Sequence, residues 1–124
     1  MLRILIALAA LAAPGLAAAQ SAEGLWRTAT AKSGASLDVR IAPCGELLCG
    51  TIAAAHDTDR ADLVGRAILA GMKPDGPDSW SDGAIWAPDD DRTYRARMTL
   101  DGDALKVQGC VAVFCRGQTW TRIR

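Results

Sequence analysis

The sequence predicts an all-β protein, a small antiparallel up-and-down β-barrel of about eight strands with little helix. The clearest observation is Asp101-Gly102, which lies between two segments of alternating polarity, 93–100 and 103–111. A two-residue Asp-Gly turn between such segments is the strongest short-range hairpin signal, because the turn needs positive φ at both central residues. Turn residues also recur about every 8–12 positions, as in a sandwich or barrel.

The segments on either side of this turn show which side of the sheet is buried. In 93–100, the residues on one face are polar or charged, and those on the other are Tyr94, Ala96, Met98 and Leu100. In 103–111, the inward face is predicted to carry Leu105, Val107 and Val111. One apolar face and one polar face indicate an antiparallel sheet that packs on a single side.

The first 19 residues have the pattern of a signal peptide. Arg3 precedes the apolar run 4–13, Pro14-Gly15 breaks it, and the small residues 17–19 suit a signal peptidase. The apolar stretch is shorter than the roughly 20 residues that a membrane span needs. We therefore expect residues 1–19 to be a signal peptide, residues 20–124 to form a single barrel domain without a membrane span, and the location to be periplasmic.

Charge excludes two classes of partner. The chain has 14 basic and 14 acidic residues, with a formal net charge of zero. Without a basic excess, nucleic acids and anionic membrane surfaces have no electrostatic attraction to the chain as a whole. We therefore expect no nucleic-acid partner.

Four cysteines in a small exported chain indicate two disulfides. They form two similar turns, one with Cys44 and Cys49 and one with Cys110 and Cys115. In an up-and-down order of eight strands these turns lie at opposite ends of the barrel, too far apart for bonds between them. Each pair is therefore predicted to close its own hairpin. Zinc would need a reducing compartment and closer thiolate spacing, so no metal is expected.

The remaining strands follow from short alternating or apolar segments. The segment 36–42 is predicted to face inward through Leu37, Val39 and Ile41 and to end at Pro43, while 72–79, with two prolines, is predicted to be a loop. The other predicted strands are 24–28, 50–55, 66–71 and 80–87. Eight strands close into a barrel whose side chains just fill it, or which holds one small ligand.

Two features of the sequence resemble known proteins. Gly24-Leu25-Trp26, with a late-strand arginine near Trp120, resembles the Gly-x-Trp and arginine pairing of the lipocalin-like (calycin) barrels. An ordered set of patches across the chain resembles the bacterial domain of unknown function 2147 family. The patches are Gly24-x-Trp26, Cys44-Gly45, Leu48-Cys49-Gly50, Ile68-Leu69-x-Gly71, Pro74-Asp75-Gly76, Trp80, Ala87-Pro88, Thr93-Tyr94, Gly109-Cys110 and the segment 115–122. The resemblance implies an exported lipocalin-like barrel, and it implies no catalytic residues.

The candidate ligand-binding residues are the four tryptophans and three polar or charged neighbours. They are Trp26, Trp80, Trp86, Tyr94, Gln118, Trp120 and Arg122. The tryptophans serve either as core and barrel-mouth plugs or as the wall of a pocket for an amphipathic ligand. A late-strand arginine either stacks on Trp26 and closes one end of the barrel or binds an anionic head group.

Chemistry that would indicate an enzyme is sparse. His56 with Asp57 and Asp59 is the single imidazole–carboxylate cluster, and no serine or cysteine nucleophile is placed to pair with it. Asp89-Asp90-Asp91 lacks the alternating spacing of a calcium loop and is predicted to be a turn. We therefore expect neither catalysis nor a cofactor.

Two functions fit this sequence. The first is a binding module of the cell envelope that takes one small hydrophobic or amphipathic ligand at the barrel mouth. The second is an envelope protein-interaction or inhibitor module with a solid core. Small residues such as Ala53, Ala54 and Ala67 favour a hollow interior, whereas four tryptophans favour a filled one.

Overall fold

The structure, a computed structural model, describes residues 21–124, so the predicted signal peptide lies outside the described residues. The described part contains eight strands and one short 3₁₀ turn, Ala61–Leu63, and no α-helix. The strands are β1 Gly24–Arg27, β2 Ser36–Cys44, β3 Leu47–His56, β4 Ala67–Gly76, β5 Ser79–Ala87, β6 Arg92–Asp101, β7 Ala104–Val111 and β8 Phe114–Arg122.

All neighbouring strands are antiparallel, and β8 returns to β1 to close the barrel in simple up-and-down order. A hairpin forms between these segments, but its turn is one residue later than predicted. Asp101 is opposite Ala104 at the end of β6, so the two turn residues are Gly102 and Asp103, and only Gly102, with a φ of 62°, has a positive φ. The predicted fold class is therefore confirmed.

Three predicted strand boundaries are wrong. β3 begins at Leu47 and not at residue 50, and the other two errors arise because a proline lies inside a strand. The segment 72–79 is not a loop: β4 continues to Gly76, and Pro74 is opposite Trp80 of β5. Likewise β2 continues through Pro43, which is opposite Leu48 of β3. The last pairs of β4 with β3 and of β2 with β1 involve Met72 and Ile41, so both prolines lie where the strand has a neighbour on one side only. A proline is tolerated at such an edge because its missing N–H has no partner to lose.

The barrel has two ends of different character. The closed end, as we call it, comprises residues 21–23 and 123–124 and the β2–β3, β4–β5 and β6–β7 turns. The open end comprises the segments 28–35 and 57–66 and the β5–β6 and β7–β8 turns. This alternation follows directly from the up-and-down order.

Each disulfide closes its own hairpin, as predicted. Cys44–Cys49 joins β2 to β3 at the closed end, and Cys110–Cys115 joins β7 to β8 at the open end. The two bonds fit a protein that folds in an oxidising compartment outside the cytoplasm. Among residues 21–124, no helix is long and apolar enough to cross a membrane.

The core is concentrated toward the closed end. The largest fully buried side chains are Trp26, Trp120, Ile41, Ile52, Leu69, Met72, Met98, Leu105, Val39 and Val107. The predicted inward face of β6 is confirmed for Ala96, Met98 and Leu100. Val111 was predicted to be buried, but it is 61% exposed because the tip of the β7–β8 hairpin extends beyond the packed core.

Candidate ligand-binding site

The open end of the barrel is hollow. Two adjoining cavities of about 240 and 840 Å³ lie there, and they share Ile85, Ala87, Asp89 and Gln118 in their walls. Ligand pockets commonly have volumes of about 300–1,000 Å³ and mostly apolar walls with a few polar groups. The size of this space therefore suits one small molecule.

The two cavities differ in what surrounds them. The smaller one lies between the β1–β2 loop and the segment after β3; its apolar lining includes Leu37, Leu63, Ile68, Trp86 and Trp120. The larger one lies along the inner face of β5–β8; its lining includes Tyr94, Val107, Gly109, Val111, Phe114 and Arg116. Both cavities therefore combine apolar walls with polar groups: Arg60 borders the smaller one, and Tyr94 and Arg116 border the larger one.

The inner wall is shaped in part by a missing side chain. A Cβ atom on Gly109 would lie 3.2 Å from Ile85 Cγ2 and 3.3 Å from Tyr94 Cβ. Both neighbours therefore pack across the bare backbone of β7 at this point. A larger residue at position 109 would force these neighbours to shift.

Gln118 is an exposed polar residue that borders both cavities. Its side-chain oxygen accepts hydrogen bonds from Trp120 Nε1, at 2.8 Å, and from the backbone N–H of Ala29, at 3.1 Å. Trp120 is 1% exposed and forms the floor of the smaller cavity. Gln118 therefore orients this indole and holds the β1–β2 loop across the mouth.

The rim is held by the acidic β5–β6 turn. Trp86 Nε1 donates to Asp91 at 2.8 Å, and the Tyr94 hydroxyl donates to Asp90 at 2.7 Å. The hydrogen bond to the Asp90 carboxylate raises the pKa of Tyr94, which keeps the phenol protonated. The predicted turn of three aspartates therefore forms, and two of its carboxylates position the aromatic residues of the rim.

Three of the seven candidate binding residues lie away from the mouth. Trp26 is fully buried, donates to Ala22 O at 2.8 Å, and has the Arg122 guanidinium 4.4 Å from its ring centroid. Arg122 also donates to the backbone carbonyls of Ser21 and Glu23. Of the two roles open to a late-strand arginine, the structure shows the first, the closure of one end of the barrel.

Trp80 also belongs to the closed half of the barrel. It is 7% exposed and lies opposite Pro74 and Met98 on the neighbouring strands. Trp86, Tyr94, Gln118 and Trp120 are therefore the candidate residues that the fold brings together at the mouth.

His56 contacts a different acid from those expected. Its Nε2 atom lies 3.0 Å from Asp38 Oδ2, and Arg27 Nε donates to Asp38 Oδ1 at 2.7 Å. Burial raises the pKa of Asp38, but the hydrogen bond from Arg27 and the nearby Arg27 and His56 side chains outweigh it and hold this pKa below its usual range. Within residues 21–124, no group of three His, Cys, Asp or Glu side chains could hold a metal ion.

Sequence reasoning missed several residues of the hollow. Alternation along the segment 115–122 puts Arg116 on the same strand face as Gln118, Trp120 and Arg122, but nothing in the sequence distinguishes Arg116 from Arg122. Leu63 and Ile68 lie in a segment whose spacing fits helix and strand equally well. The alternation in β2 does place Leu37 inward, so that signal was available.

Together, the eight-strand up-and-down order, the end closed by tryptophan and arginine, and the hollow opposite end define a small lipocalin-like β-barrel. The fold is similar to that of a solved structure described as "Protein HP1028 from the human pathogen Helicobacter pylori belongs to the lipocalin family". The TM-score is 0.70, with 16% sequence identity over 84% of each chain. At this identity the likeness shows the fold alone.

At the level of sequence, residues 24–122 match the family described as "Uncharacterized protein conserved in bacteria (DUF2147)". The chain belongs to this family. No curated protein matches the chain.

Proposed function

We propose that this protein binds one small hydrophobic or amphipathic molecule at the open end of its barrel, in the bacterial cell envelope. The observation that carries the proposal is the contrast between a filled closed half and a cavity of about 840 Å³ at the open end. Its inner wall is apolar at Ile85 and Val107, while Arg116 and Gln118 supply polar groups. A molecule with an apolar body and one polar or anionic end fits these walls.

The proposed location rests on two features. The two disulfides fit an oxidising compartment. The first 19 residues have the sequence pattern of a signal peptide. We therefore place the folded protein in the periplasm, where membrane-derived amphiphiles are available as ligands.

Tryptophan emission is the direct reporter of such binding. Trp120 forms the floor of the site and Trp86 stands at its rim. Titration of the non-reduced protein, residues 20–124, with dodecanoate or lysophosphatidylcholine should change the emission saturably. The Trp120→Ala variant should show a weaker response. An emission spectrum that stays constant up to the solubility limit of both amphiphiles would contradict the proposal.

A matched pair of variants on one strand separates site occupancy from general effects. Ala87 borders both cavities, whereas Ala84 pairs with Arg95, which lies on the outer face. Ala87→Phe should fill part of the hollow and weaken amphiphile binding at least tenfold. Ala84→Phe should leave the affinity unchanged. Equal affinities in the two variants would show that the amphiphile binds elsewhere.

A second candidate function is a protein-interaction module, and a specific observation favours it. Val113 and Phe114, at the tip of the β7–β8 hairpin, are 85% and 77% exposed. Large apolar side chains that extend into solvent beside each other are typical of contact surfaces. The backbone beside them indicates what kind of partner would fit.

A further inference from the structure

One edge of β8 is left uncovered by β1. Whereas β8 spans Phe114–Arg122, β1 ends at Arg27 and pairs with Thr121 and Arg122 alone. Beyond Arg27 the chain crosses the mouth, where Ala29 N–H bonds to the Gln118 side chain. In the described part of the chain, residues 114–119 of β8 therefore have a neighbouring strand, β7, on one side only.

The backbone groups on this edge can be identified from the hydrogen-bond alternation. Arg122 N–H donates to Asp103 O on the β7 side. Since only every second residue of an antiparallel strand bonds to a given neighbour, the even-numbered residues face β7. Cys115, Gly117 and Thr119 therefore direct their N–H and C=O groups outward, and residues 21–124 supply no backbone partner for them. All four residues of 116–119 are exposed, so solvent reaches this edge.

We propose that the β8 edge at Cys115, Gly117 and Thr119 binds an extended polypeptide segment of a partner protein as an added strand. Unpaired N–H and C=O groups at strand spacing match the groups of one extended chain, which is how peptides add to exposed sheet edges. Three outward-facing residues span about 13 Å between their outermost members, since a strand rises about 3.3 Å per residue. A segment of five to seven residues would cover the edge.

The surroundings of the edge indicate the side chains such a segment would carry. Every second side chain of the added strand would point inward, toward the cavity lined by Tyr94, Val107 and Arg116. Arg116 is exposed and makes no ion pair within residues 21–124. An inward-facing carboxylate opposite Arg116, with apolar residues two positions to either side, complements this surface. The exposed Phe114 would contact the end of the same strand.

Backbone amide exchange followed by NMR tests the edge itself. In the free protein, the amides of Cys115, Gly117 and Thr119 should exchange quickly, while those of Arg116, Gln118 and Trp120 should be protected. The probe is the acetylated, amidated heptapeptide Thr-Val-Thr-Glu-Thr-Val-Thr at millimolar concentration. It should slow exchange at the three odd-numbered amides at least tenfold and shift their resonances saturably. The same peptide with lysine in place of glutamate should bind at least threefold more weakly.

Two substitutions at one position provide the matched control. Thr119→Pro removes one outward N–H, whereas Thr119→Ala shortens the side chain and keeps that donor. Proline should weaken peptide binding at least tenfold relative to alanine, with similar melting temperatures for the two variants. If proline unfolds the protein, the exchange experiment on the wild type still decides.

Three results would overturn the proposal. In the first, the odd-numbered amides are already protected or do not respond to either peptide. In the second, the free protein forms dimers that Thr119→Pro abolishes and Thr119→Ala does not, so a second copy occupies the edge. In the third, the hairpin-tip amides respond to anionic phospholipid vesicles but not to peptide. None of these readouts uses tryptophan emission, so failure here is distinguishable from failure of amphiphile binding.

Discussion

The two ends of this barrel are built from the same eight strands, yet one end is packed and the other is hollow. At the closed end, Arg122 stacks on the buried Trp26 and bonds to the carbonyls of Ser21 and Glu23. At the open end, Arg66 stacks on Trp86 with its guanidinium carbon 3.9 Å from the ring centroid, but Trp86 borders the smaller cavity. The same residue types therefore pack into the core at one end and border a cavity at the other.

The difference shows that an arginine–tryptophan contact does not by itself identify a binding site. What separates the two ends is what the indole is packed against. Trp26 is fully enclosed by the core, whereas Trp86 is only partly buried. Stability and binding should consequently respond in opposite ways to equivalent substitutions at the two ends.

The largest difference is expected from a matched pair of tryptophan truncations. Trp26→Ala should lower the free energy of unfolding by about 3–5 kcal/mol, because it leaves a large cavity in the packed half. Trp86→Ala should cost less than about half of that, because its ring is partly exposed. Urea denaturation of both variants measures the difference. Equal losses would contradict the division into a packed and a hollow half.

Disulfide removal should affect the two ends alike. Each bond closes a loop with a sequence separation of 5, for which the loop-entropy model gives about 2 kcal/mol. Replacing both cysteines of a pair by serine, Cys44 with Cys49 or Cys110 with Cys115, should lower the free energy of unfolding by this amount. Chemical denaturation of the two double variants is the measurement. A loss at one end at least twice that at the other would show that the bonds contribute by more than chain entropy.

Conservative arginine changes should distinguish the two ends by a smaller amount. Arg122→Lys keeps the charge but loses the planar fork that bonds to two backbone carbonyls and stacks on Trp26, so it should cost about 1–2 kcal/mol. Arg66→Lys, at the rim, should cost less than about 0.5 kcal/mol. Thermal unfolding monitored by circular dichroism would measure the loss of stability in each of the two variants. A larger loss of stability for Arg66→Lys than for Arg122→Lys would contradict the conclusion that the closed end contributes more to stability.

The smallest expected effect is a pH dependence in the wall between the ends. The hydrogen bond from Arg27 and the nearby His56 side chain hold the pKa of Asp38 below its usual value near 4, against the opposing effect of burial. Because the folded-state pKa is the lower one, its contribution is fully present above about pH 4 and is lost as the pH falls through the folded pKa. Asp38→Asn should flatten the acid limb of the stability curve. Asp82→Asn, at an exposed position, should leave that limb unchanged, and an identical limb in both variants would exclude Asp38 as the source.

Much of the fold could be predicted from the sequence because local signals and fold agree. Gly102 marks the hairpin, although the turn residues are Gly102 and Asp103 and not Asp101 and Gly102, and the alternation around it fixes the inward face from Ala96 to Leu100. In an up-and-down barrel, successive turns alternate between the two ends, and this alternation was sufficient to predict which cysteines pair. Pro43 and Pro74 led to wrong strand ends. A proline shows that an N–H donor is missing, but the sequence does not show whether a neighbouring strand lies where that donor would bond.

The candidate site could be predicted only in part. Strand faces indicate which side chains point inward, but the depth of a residue along the barrel depends on register and shear, which local patterns do not encode. That is why Trp26 and Trp80 could not be separated from Trp86 and Trp120 by sequence. The free edge of β8 was equally hidden, since it depends on β1 ending after four residues.

Locating a bound amphiphile on the protein shows directly whether the hollow of the open end is a ligand site. A stearic acid with a nitroxide on its acyl chain, added to the ¹⁵N-labelled protein, broadens only the amide resonances near the bound chain. A ligand in the hollow should cause saturable broadening at Tyr94, Val107 and Gly109 that disappears when ascorbate reduces the nitroxide. The resonances of Ile41 and Leu100 in the packed half should stay sharp. Uniform weak broadening, or broadening centred on the closed end, would contradict a ligand site in the hollow of the open end.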